Sequence, residues 1–110
     1  MEDLTKKHCV PCEGGVPAYS KEEAEKYLPN VPKWKPDTDY KVISREFNFD
    51  DFKKAMVFVN KVADLAEGEG HHPDILISYS RVTLALSTHA LHGLSENDFI
   101  LATKIDALEK

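Results

Sequence analysis

Cysteine and tryptophan are scarce: the 110 residues include two cysteines and one tryptophan. Two thiols, Cys9 and Cys12, cannot build a disulfide framework, so stability must come from an apolar core. Long apolar runs are missing as well. Nothing approaches the roughly 18–20 residues of a membrane-spanning helix, so no membrane partner is expected. Basic residues are outnumbered, 14 against 19 acidic, and the net charge of −5 argues against broad phosphate-backbone binding. A nucleic-acid partner is therefore not expected. The segment Met1 to Gly15 lacks the roughly 7–15-residue apolar stretch of a secretory signal, which points to a cytoplasmic protein.

What is present fits one domain spanning residues 1–110, with residues 1–19 a loop-like N-terminal extension. The composition, 42% hydrophobic and 30% charged, is that of a folded globular chain. Ser20 and Glu23 form a capping box that opens a short helix running to about Leu28, where Pro29 stops it. Turns surround Trp34, and the β-branched and aromatic stretch Tyr40–Phe49 reads as a strand. Phe49, Phe52, Met56, Val59, Ala63 and Ala66 step by three and four, one face of a long helix. Val57, Phe58, Val62 and Leu65 widen that stripe. Asp50 or Asp51 caps the start of this helix, and Gly68 or Gly70 ends it.

Period-two alternation then returns twice, around Ile75–Tyr79 and over Arg81–His89, with a link short enough for an antiparallel hairpin. Ser95 with Asp98 makes a carboxylate capping box, and Leu94 with Phe99 makes a hydrophobic staple, opening a final helix. The expected architecture is α+β: a four-stranded antiparallel sheet with about three helices packed on one face.

Histidine is the anomaly, for four of the five lie between His71 and His92. Hairpin geometry brings His71, His72 and His89 toward one edge of the sheet. Three explanations compete. A zinc site would need a fourth ligand from Glu67, Glu69 or Asp74, but adjacent histidines in extended chain point to opposite sides. The imidazoles could simply cap loops through backbone hydrogen bonds. They could also perform acid–base catalysis, for which a pKa of about 6.5 suits imidazole. Spacing alone leaves the last two open.

The residues Glu67, His71-His72-Pro73, Tyr79, His89 and Asp98, at these spacings, resemble the pterin-4a-carbinolamine dehydratase signature. Leu86-Ser87-Thr88-His89, Gly93-Leu94-Ser95-Glu96-x-Asp98, Trp34 and Phe47-x-Phe49-x-x-Phe52 extend the resemblance over about residues 20–108. It implies dehydration of 4a-hydroxytetrahydrobiopterin, the product of aromatic amino acid hydroxylases, to quinonoid dihydropterin and water, with no metal or redox cofactor. By the resemblance His71 and His89 are the acid–base pair and His72 supports transfer and holds the pterin. Substrate contacts map onto Gly70, His71, His72, Ser87, Thr88 and His89. Animal members carry aspartate where Gly70 stands, so that side-chain contact is absent here.

Glu67 is a candidate to orient an imidazole, while Asp98 reads first as the helix cap that places the last helix. Tyr79 and Trp34 read as packing residues. The family also implies a homodimer or homotetramer. Two other roles follow from relatives: a dimerisation cofactor for a homeodomain transcription factor, and a pterin enzyme of molybdopterin metabolism. The Cys9-Val-Pro-Cys12-Glu13-Gly14-Gly15 start resembles that of bacterial, plant and protist-type members and reads as a structural loop.

Overall fold

A computed structural model of the chain describes residues 4–9 and 17–109. Among the described residues three α-helices, α1 (Lys21–Tyr27), α2 (Phe52–Glu69) and α3 (Glu96–Glu109), accompany four strands. The strands are β1 (Lys35–Pro36), β2 (Ile43–Asn48), β3 (Asp74–Ser78) and β4 (Arg81–Leu86). They form one antiparallel sheet in the order β1-β2-β4-β3. The α+β expectation stands, including its four strands and three helices.

Alternation decides which face is covered. Ile43 and Phe47 of β2, paired with Leu86 and Val82 of β4, point with Leu84 into the core and are buried. The helices cover that face. From α2 the buried residues are Ala55, Phe58, Val59, Val62 and Ala66. This is a correction: Phe52 and Val57 are 49% and 50% exposed, and Ala63 is exposed too. The helix is turned so that Phe58 meets Phe47 and Phe49, with ring centroids 4.7 and 5.1 Å away. The apolar stripe is wider than the face the sheet can cover, and the Phe58 ring contacts select this rotation.

Local chemistry sets the boundaries. Ser20 and Glu23 make both bonds of the capping box at the start of α1. Pro29 lies in a 3-10 turn, Leu28–Asn30, that continues α1 rather than cutting it off. The strand expected over Tyr40–Phe49 is shorter, because Asp37 Oδ1 accepts the N–H groups of Lys41 and Val42 and holds their turn. That turn joins β2 to β1, a two-residue strand hidden by Pro36. Trp34 packs as expected, 2% exposed and edge-on to Phe47, with its indole N–H donated to Asp106 at 2.8 Å. Tyr79 does not pack: it sits at positive φ in the β3–β4 turn, 69% exposed.

Described residues of the N-terminal extension pack against the domain. Leu4, in the 3-10 turn Leu4–Lys6, is 2% exposed and joins the core. Farther on, Tyr19 donates its N–H to Leu94 O at 2.8 Å. That crossing explains Gly93, where an added Cβ would stand 2.8 Å from Ala18 Cβ. Among the described residues no helix is long and apolar enough to cross a membrane.

Candidate active site

Three chain segments converge at one end of the sheet. The first is the end of α2. Gly70 adopts φ +67°, the left-handed conformation that glycine enters most cheaply. His71 then sends its N–H back to Ala66 O at 3.2 Å, and Gly70 to Glu67 O at 3.3 Å. This pair of bonds closes the helix and swings His71 off its axis.

The second segment follows β4. The register pairs Asp74 with Ala85 at the end of the β3–β4 ladder, and beyond it His71 and Thr88 meet on the same carboxylate, Asp98. The strand expected through His89 stops at Leu86, because Thr88 exchanges backbone bonds with Gly93 at 2.7 and 3.4 Å. His89 consequently opens a 3-10 turn, His89–Leu91, instead of ending a strand, and its side chain is exposed. His92 closes that turn in the left-handed region.

The third segment is the first turn of α3, which supplies the centre. Asp98, 0% exposed, receives three hydrogen bonds. His71 Nε2 lies 2.6 Å from Oδ1, while the Thr88 hydroxyl and the Ser95 N–H reach Oδ2 at 2.9 and 3.0 Å. A carboxylate only accepts, so Nε2 of His71 carries the hydrogen, and in the neutral ring Nδ1 is the nitrogen that can accept a proton. Thr88 spends its only hydroxyl hydrogen on Asp98, so in the 2.7 Å contact between the two hydroxyls Ser95 is the donor. The Ser95 N–H bond is the capping contact expected of Asp98. Its hold on His71 lies beyond that expectation, and its other oxygen holds the hydroxyl of Thr88, a residue 4% exposed.

His72 pairs with Glu67 at 2.8 Å, the orienting contact considered for that carboxylate, and both side chains are largely exposed. A hollow of about 380 Å³ lined by Ala63, Ala66, Glu67, His72, Pro73 and Ile75 adjoins them. Two further hollows flank Arg45 and hold no histidine, so imidazole geometry rather than depth marks this site. Among the described residues no three His, Cys, Asp or Glu side chains cluster as metal ligands would.

Glu69 is a residue that sequence reasoning weighed only as a metal ligand. It accepts Lys104 Nζ at 2.7 Å and Cys9 N–H at 2.8 Å, with His8 Nδ1 at 3.1 Å. Burial raises its pKa, but the Lys104, Cys9 and His8 hydrogen bonds prevail and hold it down at about 2. Burial, with the Glu69 charge nearby, pushes the Cys9 thiol up to about 12, which leaves it un-ionised and a poor nucleophile near neutral pH. Cys12, the other half of the CxxC element, lies outside the described residues.

Fold and site together define a class: a small α+β domain presenting carboxylate-oriented imidazoles at a sheet edge, equipped for proton transfer. A model of the family described as pterin 4 alpha carbinolamine dehydratase matches residues 17–108, and the chain belongs to that family. A Halorhodospira halophila (strain DSM 244 / SL1) protein is 51% identical over 105 residues, 96% of each chain. One from Methylococcus capsulatus (strain ATCC 33009 / NCIMB 11132 / Bath) is 47% identical, over 96% of this chain and 92% of its own. Both bear the name "Putative pterin-4-alpha-carbinolamine dehydratase".

Among solved structures, a transcriptional coactivator/pterin dehydratase from Brucella melitensis superposes with a TM-score of 0.80 at 31% identity. The match covers 84% of this chain and 99% of that one. A pterin dehydratase-like protein identified as a RuBisCO assembly factor in the alpha-carboxysome gives 0.60 at 25% identity, over 69% and 88%.

Proposed function

We propose that the chain dehydrates 4a-hydroxytetrahydrobiopterin to quinonoid dihydropterin plus water, with His71 and His89 as the acid–base pair. The observation that carries this reading is the 2.6 Å bond from buried Asp98 to His71 Nε2, which leaves Nδ1 as the proton-accepting nitrogen. In the reaction the C4a–O bond breaks, the hydroxyl leaves with an added proton as water, and N5 loses its proton. The N5 electron pair then closes the C4a–N5 double bond, so no oxidant or reductant is consumed. One imidazole accepts the N5 proton while the other protonates the leaving hydroxyl.

His72, steadied by Glu67, holds the pterin, and Gly70, Ser87 and Thr88 complete the binding edge. In this reading the chain serves tetrahydrobiopterin recycling beside aromatic amino acid hydroxylases. With the purified chain, carbinolamine absorbance in stopped flow falls about tenfold or more faster than in buffer. A rate equal to buffer refutes the activity.

The same reading includes a homodimer or homotetramer. It is supported by β3, an edge strand whose Ile75, Leu76 and Ile77 are 37%, 65% and 37% exposed. Light scattering across a concentration series is expected to give two or four chain masses, and a monomer throughout refutes it.

A further inference from the structure

The stretch 4–9 lies against both elements that the His71–Asp98 bond joins. Leu4 anchors it in the core, 2% exposed. From there Lys7 Nζ reaches Glu96 Oε2 at 2.9 Å, in the first turn of α3. Cys9 Sγ reaches Asn97 O at 3.5 Å, the residue before Asp98. The Cys9 N–H then crosses to Glu69 Oε1 at 2.8 Å, two residues before His71. Glu69 closes the loop by taking Lys104 Nζ of α3 on its other oxygen at 2.7 Å.

These contacts form a second tie between the end of α2 and α3, parallel to the imidazole–carboxylate bond. Both charges of the tie are shielded, with side chains 9% and 12% exposed, so it is little weakened by solvent. An exposed ion pair would be too weak to hold a helix end in place. This one also accepts a backbone N–H, and together they fix the turn from which His71 projects.

We propose that residues 4–9, Glu69 and Lys104 form a strap that positions His71 against Asp98, with Glu69 a positioning residue for the proton-transfer site. The proposal deepens the dehydratase reading and rests on it for its kinetic test. Misplacing a catalytic group by a fraction of an ångström slows chemistry more than it weakens binding. Glu69→Ala is therefore expected to lower kcat roughly tenfold, the low end for an orienting partner, with KM changed less than about twofold. Lys104→Met breaks the same tie from α3 and should reproduce this split. If Glu69→Ala fails to fold, Lys104→Met decides alone. Wild-type kcat in a folded variant, or a change confined to KM, overturns the proposal.

The NMR signals of the His71 ring nitrogens give a readout that needs no turnover. They shift in both variants if the strap positions the imidazole, and unmoved signals overturn it. A wild-type chain without dehydratase activity refutes the functional reading alone, and the ring signals then judge the strap.

Discussion

Replacing His71 with glutamine and His89 with alanine together is expected to lower the dehydration rate by roughly 10³-fold or more. Each proton transfer contributes about 10²–10⁴-fold when the group sits within reach of the reacting atom. Because both transfers belong to one elimination, the losses will not add, and either single variant should fall close to the double. Glutamine is chosen at position 71 because it retains an N–H donor for buried Asp98 but has no titratable nitrogen. Alanine is tolerable at position 89, where the side chain is exposed on a 3-10 turn. A folded double variant with near-wild-type turnover in the stopped-flow assay would show that other groups move the protons.

Much of the scaffold for this site was readable from local chemistry. The Ser20–Glu23 box, the Asp51 cap and the Gly70 stop are contacts within a few residues of the chain, and such bonds follow from spacing. The tight β3–β4 link likewise follows from two alternating runs with a very short link between them. What could not be read were partnerships at long range. Spacing discloses the Asp98 bond to Ser95 three residues away, but not the bond to His71 27 residues earlier. Glu69 is hidden for the same reason, since its partners sit 60 and 35 residues away at Cys9 and Lys104.

The misreadings have physical causes too. Alternation from Val82 through Leu86 continues smoothly into Ser87 and His89, yet the Thr88–Gly93 bridge turns the chain back. On α2, the step of three and four singled out Phe52 and Ala63, although the covered stripe runs through Ala55, Phe58, Val59, Val62 and Ala66. An apolar stripe wider than the face one sheet can cover has more than one rotation consistent with it. The exposed remainder lies on the same chain as the bare β3 edge, which gives the proposed oligomer two apolar surfaces to bury.

Asp98 gives the sharpest separation between holding the fold and steering the proton. Asp98→Ala strands the Thr88 hydroxyl and the Ser95 N–H and releases His71, and unmade buried hydrogen bonds cost about 1–3 kcal/mol each. A loss of about 3 kcal/mol is expected, read as a fall in Tm of roughly 4 °C per kcal/mol. Asp98→Asn should cost far less stability, about 1 kcal/mol, because one amide oxygen at the Oδ2 position still accepts from Thr88 and Ser95. That choice turns the amide N–H₂ toward His71. To accept from it, Nε2 must give up its hydrogen, and the imidazole moves that hydrogen to Nδ1. The nitrogen that should take the substrate's proton is then already occupied. The rate in Asp98→Asn is therefore expected to fall by about 10²-fold or more while the fold survives. If Asp98→Asn keeps wild-type turnover and only Asp98→Ala is impaired, Asp98 is a helix cap and nothing more, and the orientation of His71 must come from elsewhere.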